Sequence, residues 1–232
     1  MTQRELAATL DMTLLKPSAA KTDIVSLCER AVLLKPAAVC VFPIWVKTAA
    51  RVVAGSGVAV CTVAGFPTGC SVRGSKMHEV RAAIAGGATE VDMVLNLGAL
   101  KTGDWGEVQR ELSDLLETAR VTAMEVERPV VTKVILECCY LTDDEKVRAA
   151  DLCQALGANF VKTSTGFGTG GATLEDVRLL RKTVGPEMGV KAAGGIRTLE
   201  DALAMLEAGA TRIGTSAAET ILEEASKLPE FA

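Results

Sequence analysis

The feature that most constrains the fold is a phrase that occurs three times, in which a helical stretch ends in Gly-Ala and an apolar strand follows at once. The copies are Gly87–Asp92, Gly157–Lys162 and Gly209–Gly214. A glycine just past a helix can adopt the left-handed conformation that turns the chain sharply into the next element. Strands that alternate with helices at such short spacing are typical of βαβ units, so the phrase predicts a parallel sheet covered by helices.

The same alternation extends along the whole chain, after a short leading helix at Arg4–Ala8. The apolar pattern predicts eight strands, at Leu10–Thr13, Ala38–Phe42, Val58–Val63, Glu90–Leu95, Val130–Leu136, Phe160–Lys162, Gly189–Ala192 and Arg212–Gly214. It predicts intervening helices at Lys21–Leu34, Ile44–Ala54, Ser75–Ala85, Trp105–Val126, Thr142–Leu156, Thr173–Val184 and Thr198–Ala208, and a last helix capped by Ser216.

Eight strand–helix units in 232 residues give about 29 residues each, close to the length of one βαβ repeat. We therefore expect an α/β protein that forms a single-domain (β/α)8 TIM barrel with a short N-terminal helix. No linker or low-complexity segment divides the chain, so the domain should span residues 1–232. A doubly wound open sheet shares the same local pattern and remains the alternative.

Composition excludes several other classes of protein. Hydrophobic residues make up 49% of the chain and aromatic residues only 3%, which suits the aliphatic core of a buried parallel sheet. The net charge of -4 argues against nucleic-acid binding. No apolar run approaches the roughly 18 residues of a membrane helix, and the N-terminus lacks a signal-peptide pattern. Seven cysteines without a C-x-x-C pair are typical of free thiols, so we expect a cytoplasmic protein that binds no membrane.

The chain contains a single histidine, His78, in the charged helical stretch 76–79. Catalytic zinc sites usually need several imidazoles or thiolates at close spacing, and we find no such group. A Ser-His-Asp hydrolase would have to use His78, which has no nucleophile elbow nearby. We therefore expect an exposed helix histidine and no metal site.

Charged residues stand at the predicted strand ends, where the active sites of such barrels lie. They are Asp11, Asp92, Lys133, Lys162 and Lys191. An ammonium group at the end of an apolar strand is costly to remove from water. A lysine such as Lys162 could simply extend past the strand into solvent. Three such lysines on neighbouring strands favour a chemical role instead.

Clustered lysines indicate one kind of chemistry. A second cation beside a lysine disfavours protonation and lowers the pKa of one amine towards neutrality. The neutral amine can attack an aldehyde or ketone to form a Schiff base, which accepts the electron pair of a breaking carbon–carbon bond. Asp92 could move protons at the same place. The alternative for Asp92 and Lys133 is a buried salt bridge that joins two strands.

A second group of residues indicates a phosphate site. Gly194–Ile196 follows the seventh strand, and Gly214–Ser216 ends the eighth strand and opens a helix. Glycines let backbone N–H groups approach an oxyanion closely, and a helix N-terminus adds partial positive charge. Barrels commonly hold a phosphate at these two loops. With Thr165 and Gly166 as further donors, the pattern predicts a phosphorylated carbonyl substrate.

Four motifs together resemble the deoxyribose-phosphate aldolase family. They are Val-Lys-Thr-Ser-Thr-Gly-Phe at 161–167, Glu-Val-Asp-Met-Val-Leu-Asn at 90–96, Gly-Val-Lys-Ala-Ala-Gly-Gly-Ile at 189–196 and Asp-Met-Thr-Leu-Leu-Lys-Pro at 11–17. The resemblance implies a class I aldolase, a lyase without metal or cofactor, on a (β/α)8 barrel. The implied reaction is the reversible cleavage of 2-deoxy-D-ribose 5-phosphate to D-glyceraldehyde 3-phosphate and acetaldehyde, in deoxyribose phosphate catabolism.

The resemblance also implies roles for individual residues. Lys162 would form the Schiff base, Lys191 would lower its pKa, and Asp92 would donate and accept protons. Lys133 would join the same network. The implied substrate- and phosphate-binding residues are Asp11, Thr13, Cys40, Thr165, Gly166, Gly194, Gly195, Gly214, Thr215 and Ser216. The partners would be small phosphosugars and aldehydes, and we expect a homodimer or homotetramer.

The chain departs from the family pattern at two places, Met12 and the C-terminal tail. Many relatives carry histidine where this chain has Met12, so any hydrogen bond made there is absent. Some members use a tyrosine in the C-terminal tail for proton transfer, but this tail ends in Phe231-Ala232 and the single tyrosine is Tyr140. Cys40 could be a pocket thiol or a small core residue, and we favour the core.

Two other functions fit the same residues. One is a different Schiff-base or phosphate-binding barrel, such as a transaldolase-like or keto-acid-phosphate aldolase. The other is a phosphosugar-binding sensor without catalysis. The lysine pair and Asp92 argue against the sensor, since a binding protein has no use for an activated amine.

Overall fold

The computed structural model describes residues 1–231, and eight parallel strands in it close into a barrel in sequence order. The strands are β1 Leu10–Leu14, β2 Ala38–Val41, β3 Ala59–Ala64, β4 Glu90–Val94, β5 Val131–Ile135, β6 Phe160–Lys162, β7 Gly189–Ala193 and β8 Arg212–Thr215. The helices are α1 Gln3–Ala7, α2 Lys21–Leu34, α3 Val46–Val52, α4 Arg73–Gly86, α5 Leu97–Lys101, α6 Trp105–Glu125, α7 Asp143–Ala155, α8 Leu174–Val184, α9 Leu199–Glu207 and α10 Ala218–Ser226.

The predicted (β/α)8 barrel with a short N-terminal helix is confirmed. The open doubly wound sheet is wrong, because β1 pairs with β8 and closes the barrel, with Asp11 opposite Gly214. The predicted domain range of 1–232 ends at Ala232, which lies outside the described residues.

The repeated Gly-Ala phrase makes the helix-to-strand turn that its sequence predicts. Gly87, Gly157 and Gly209 have φ angles of 118°, 82° and 113°, the left-handed region that side chains disfavour. Space is restricted at Gly209 as well, since a Cβ there would lie 2.7 Å from Cγ of Arg181. Each glycine therefore ends its helix and directs the chain into β4, β6 or β8.

An aliphatic core fills the space between the barrel and its helices. Strands β2 and β4 are buried along their whole length, as expected for a parallel sheet covered on both faces. Phe231 is also buried and packs into this core. The large core stabilises the barrel and fixes the strand ends that carry the charged residues.

Three local predictions differ from the structure. The segment 97–101 forms an extra helix, α5, which Asn96 caps by accepting a hydrogen bond from the Ala99 N–H at 3.1 Å. The predicted helix Ile44–Ala54 begins instead with a tight turn at Pro43–Trp45 and continues as α3. Ser216 does not cap α10, because the N-cap position is Ala217 and no side chain makes a capping hydrogen bond. Within the part of the chain that the structure covers, no helix is both long and apolar enough to cross a membrane.

Candidate active site

Strands β4 to β7 bring the predicted charged residues together. Lys162 is the last residue of β6, as predicted, whereas Asp92, Lys133 and Lys191 are each the third of five residues in their strands rather than at the strand ends. Lys162 ends β6 and is in register with Lys191 on β7, and Asp92 on β4 is in register with Lys133 on β5. Lys162 is 3% exposed and the other three are fully buried. A Lys162 side chain extended into solvent is therefore wrong.

Asp92 is the acceptor that joins the three lysines. Its Oδ1 accepts a hydrogen bond from Lys133 Nζ at 2.9 Å. Its Oδ2 accepts from Lys162 Nζ at 2.8 Å and from Lys191 Nζ at 2.7 Å. The salt bridge considered for Asp92 and Lys133 is present, but it is one part of a larger network. Lys162 and Lys191 converge on the same carboxylate oxygen.

Three further charged residues complete this network beneath the lysines. Asp11 lies between Lys191 and Arg212, with its Oδ1 2.7 Å from Arg212 Nη1. Glu90 lies between Lys133 and Arg212, with its Oε2 2.5 Å from Lys133 Nζ and 3.1 Å from Arg212 Nη1.

Glu90 and Arg212 were not among the predicted site residues, although a usable signal was present in the sequence. Glu90 lies two residues before Asp92 on β4, and Arg212 lies two residues before Gly214 on β8. Alternate residues of a strand face the same side. The strand parity therefore already placed both side chains towards the barrel interior.

The pairing in this network fixes the charges of its members. Burial alone would raise the pKa of Asp92, but Lys133, Lys162 and Lys191 hold it well below its ordinary value. Burial alone would lower the pKa values of Lys133 and Lys191, but the carboxylates of Asp92 and Asp11 raise both. Opposite charges in contact favour the charged forms of both partners. Asp92 is thus a carboxylate, and Lys133 and Lys191 are ammonium groups.

Above the network, a pocket of about 250 Å³ opens at the barrel mouth. Lys162 lies in its lining, where the amine can meet a ligand. Predicted binding residues that line it are Thr13, Thr165, Gly166, Gly194, Gly195, Gly214, Thr215 and Ser216. Lys16, Phe167 and Arg197 also line the pocket, although they were not among the predicted site residues. Lys16 and Arg197 are exposed cations at the rim of the pocket. No local sequence motif predicts that position.

Two glycines shape the wall of this pocket after β7. Gly194 and Gly195 have φ angles of 91° and 85°, so both adopt a conformation that other residues rarely take. Gly214 is needed for space rather than for conformation. A Cβ at Gly214 would lie 3.0 Å from Cε of Lys191, so the bare backbone leaves room for that side chain.

Thr215 and Ser216 have different places in the pocket. The Thr215 hydroxyl donates to the Ile196 carbonyl oxygen at 2.7 Å and accepts from the Ala217 N–H at 2.9 Å. It therefore ties the loops after β7 and β8 together. Ser216 is exposed at the start of the α10 turn, where its hydroxyl can reach a ligand.

Glu137 supports the loop after β6 from the end of β5. Its carboxylate accepts hydrogen bonds from the Thr165 N–H at 3.1 Å and from the Thr165 hydroxyl. The Thr165 hydroxyl in turn accepts from the Phe167 N–H at 3.0 Å. Glu137 is 2% exposed, so these contacts are protected from water. They fix the loop that carries Thr165 and Gly166.

Several predicted residues lie outside the pocket lining. Asp11, Asp92, Lys133 and Lys191 lie below it in the buried network. Cys40 is buried in a small apolar cluster with Leu15, Ala38, Cys61 and Val63, which agrees with the core interpretation.

The residues that depart from the family pattern are also away from the pocket. Met12 is buried in the main apolar core. Tyr140, which follows β5, is exposed.

The single histidine, His78, is exposed on α4, as predicted.

Two buried groups approach the spacing of metal ligands, Cys40–Cys61–Asp92 and Asp11–Cys61–Glu90. The carboxylates in both groups already accept hydrogen bonds from ammonium or guanidinium groups. A metal ion would have to displace these cations. The donor set therefore fits lysine and arginine partners better than a metal.

A larger cavity of about 600 Å³ lies at the other end of the barrel, between the end of α6 and the starts of β5 and β6. None of the predicted site residues lines it. We therefore assign the candidate active site to the smaller pocket, which contains the lysine and the glycine loops.

Known proteins are similar to this chain in both sequence and fold. The family model described as "DeoC/LacD family aldolase" matches residues 8–222. Deoxyribose-phosphate aldolases from Bacillus mycoides (strain KBAB4) and Thermococcus gammatolerans are each 52% identical, over 94% and 97% of this chain and 94% and 98% of theirs. A tetrameric deoxyribose phosphate aldolase from Aeropyrum pernix superposes with a TM-score of 0.87 at 33% identity, covering 97% of this chain and 92% of that one.

Proposed function

This chain belongs to the DeoC/LacD family of aldolases, and from that premise we propose that it is a class I deoxyribose-phosphate aldolase. It reversibly cleaves 2-deoxy-D-ribose 5-phosphate to D-glyceraldehyde 3-phosphate and acetaldehyde, in deoxyribose phosphate catabolism. One observation carries the proposal. A buried lysine amine, Lys162, lies in a pocket whose other wall consists of the glycine-rich loops after β7 and β8.

Lys162 acts as the nucleophile. Its free amine attacks the aldehyde carbon of the substrate, and loss of water gives an iminium ion. The 3-hydroxyl then gives its proton to Asp92, directly or through a water molecule. The bond between substrate carbons 2 and 3 breaks, its electron pair enters the iminium to give an enamine, and carbon 3 leaves as the aldehyde of glyceraldehyde 3-phosphate. Protonation of the enamine carbon and addition of water release acetaldehyde and restore the lysine.

Asp92 and Lys191 serve the proton transfers of this sequence. Asp92 is held as a carboxylate 2.8 Å from Lys162 Nζ, so it can accept a proton, directly or through a water molecule. Lys191 is an ammonium group on the same Asp92 oxygen. Lys162 Nζ and Lys191 Nζ thus share one oxygen of the Asp92 carboxylate. Lys133 holds the other Asp92 oxygen and fixes the direction of the carboxylate.

The phosphate occupies the part of the pocket that is lined by the loops after β6, β7 and β8. Backbone N–H groups at Gly166, Gly194 and Gly195 suit a dianion, together with Ser216, which lies just before the N-cap of α10. Gly214 and Thr215 shape the floor of this subsite. Thr13, in the pocket lining, orients the sugar end of the substrate. Asp11 is buried below the pocket and contributes through its contacts with Lys191 and Arg212.

The rim cation Lys16 should strengthen phosphate binding through its charge. We expect Lys16→Gln to lower kcat/KM for 2-deoxyribose 5-phosphate roughly threefold at low salt, because an exposed charge contributes modestly. The loss should shrink as salt is added. Cleavage of unphosphorylated 2-deoxyribose should not change. Lys21→Gln, the same change at an exposed lysine outside the pocket, is the control, and an equal loss with both sugars would contradict this role.

We propose that the protein works as a homo-oligomer in the cytoplasm. The Aeropyrum pernix aldolase that it resembles is a tetramer, and the seven cysteines of this chain are all free thiols. A reducing compartment preserves such thiols. Its ligands are small phosphosugars and aldehydes.

A turnover assay tests the proposed function. The purified protein is incubated with 2-deoxyribose 5-phosphate, and glyceraldehyde 3-phosphate is measured with a coupled dehydrogenase. We expect continuous release of that product. A phosphosugar-binding sensor would bind the sugar phosphate and release none over hours. A barrel aldolase of another specificity would release product only from a longer or more oxidised donor.

A further inference from the structure

Five buried side chains and the partly buried Arg212 form a closed ring beneath the pocket, in which positive and negative charges alternate. We define the charged ring as Asp11, Glu90, Asp92, Lys133, Lys191 and Arg212. Going around it, Arg212 contacts Asp11, Asp11 contacts Lys191, and Lys191 contacts Asp92. Asp92 then contacts Lys133, Lys133 contacts Glu90, and Glu90 contacts Arg212. Every separation is 3.1 Å or shorter.

The charged ring is balanced by itself, with three carboxylates against three cations. Lys162 lies outside the ring and contacts it through Asp92 alone. With a protonated Lys162 the cluster carries one excess positive charge, and with a neutral Lys162 it carries none. The proton on Lys162 is therefore the one that the ring does not balance.

Burial makes this balance matter. The side chains of Asp11, Asp92, Lys133 and Lys191 are fully buried, and that of Arg212 is 14% exposed. A buried charge without a partner is costly, and water screens it poorly. A change of one charge anywhere on the ring should therefore change the free energy of placing a positive charge on Lys162.

Few other titratable groups face Lys162 from the surrounding elements. On β2 and β3 these are the thiols of Cys40 and Cys61, and the Cys61 Sγ lies 3.1 Å from Asp92 Oδ1. Burial and the hydrogen bond with Cys40 raise the pKa of Cys61 well above its ordinary value, so it stays a neutral thiol. Glu137, after β5, contacts Thr165 in the loop beyond Lys162. Lys16 and Arg197 are exposed cations at the rim of the pocket that Lys162 lines, where water screens their charge. The other charges near Lys162 belong to the ring.

We propose that Glu90 and Arg212 are positioning residues that complete the charge balance of the ring and thereby control the proton on Lys162. The two residues lie on the far side of the ring from Lys162 and do not line the pocket. They act through Lys133, Lys191 and the two aspartates rather than on the substrate. This inference rests on the proposed Schiff-base function of Lys162.

The test measures reductive trapping of acetaldehyde on Lys162 by borohydride as a function of pH. Glu90→Gln removes a negative charge and leaves the ring net positive, so it should disfavour the ammonium form of Lys162. We expect the pH of half-maximal trapping to fall by roughly one unit. Arg212→Met removes a positive charge and should raise that pH by a similar amount. The double variant restores the balance and should return close to the wild-type pH.

Controls separate charge from structure. Arg212→Lys keeps the charge and should keep the wild-type midpoint, whereas loss of packing alone would lower yield without opposite shifts. If Glu90→Gln fails to fold by circular dichroism, Asp11→Asn removes a negative charge from the ring at another position and should also lower the midpoint. Arg212→Gln serves in the same way for Arg212→Met.

Opposite shifts in the two single variants support the proposal. Unmoved midpoints, or shifts in the same direction, overturn it. These outcomes differ from a failure of the proposed function, in which the wild-type protein itself would trap no acetaldehyde on Lys162.

Discussion

Lys162→Leu is expected to lower kcat for 2-deoxyribose 5-phosphate cleavage by at least about 10³-fold, because removal of a covalent nucleophile abolishes its intermediate. The fold should survive. Leucine fits an apolar strand end, and Asp92 keeps Lys133 and Lys191 as partners after Lys162 is removed.

The measurement is the coupled assay with circular dichroism and thermal melting of the same preparations. Lys162→Arg keeps a cation beside Asp92 but cannot form the imine, so it should be equally inactive. Lys21→Leu makes the same change at an exposed lysine of α2 and should keep the wild-type rate. Activity of folded Lys162→Leu or Lys162→Arg near that of the wild type would refute the nucleophile.

Asp92→Asn is expected to have the largest effect on stability as well as a large effect on rate. The substitution takes away the carboxylate that three buried lysines share. Breaking a buried ion pair by neutralising one partner costs about 3–5 kcal/mol. Loss of the proton acceptor should lower kcat by about 10²–10⁴-fold as well.

The pH dependence of this stability effect has a definite sign. The lysines hold the pKa of Asp92 well below its ordinary value, while in the unfolded chain it is about 3.9. The carboxylate therefore contributes its full stability above about pH 4 and loses it as the pH falls through the lower folded-state pKa. The difference between wild type and Asp92→Asn should be complete at pH 7 and shrink in strong acid.

Urea unfolding at pH 7 and in acid measures this difference. Asp151→Asn, a matched change at an exposed aspartate of α7, should alter the unfolding free energy by less than about 0.5 kcal/mol. A difference of less than about 1 kcal/mol for Asp92→Asn at pH 7 would show that Asp92 is not the centre of the network.

The architecture could be predicted from the sequence because local signals repeat. The three Gly-Ala phrases each mark a helix end and a strand start, and the eight strand–helix alternations along the chain leave few folds open. The helix α5 was missed because 97–101 is one short turn capped by Asn96, with too few residues to show helical periodicity. The cap of α10 was wrongly given to Ser216, since a serine before an apolar run is a common cap but the turn from β8 ends one residue later.

The sequence predicted those active-site residues whose type conflicts with the local sequence around them. A lysine in an apolar strand, as at Lys162 or Lys191, conflicts with its surroundings and is conspicuous. Glu90 and Arg212 stand at strand beginnings, where charged residues are ordinary, and their closure of the ring depends on which strands are neighbours. Arg212 on β8 meets Asp11 on β1 only because the barrel closes. The local sequence around Arg212 or around Asp11 therefore does not predict that they are in contact.

The central claim is that the Lys162 amine bonds covalently to the substrate, and reductive trapping tests it most directly. The wild-type protein is treated with acetaldehyde and borohydride at neutral pH, digested, and mapped by mass spectrometry. A stable ethyl adduct on Lys162 alone is the predicted result. An adduct on Lys133 or Lys191 instead, or no adduct on any lysine of an active preparation, would contradict the account.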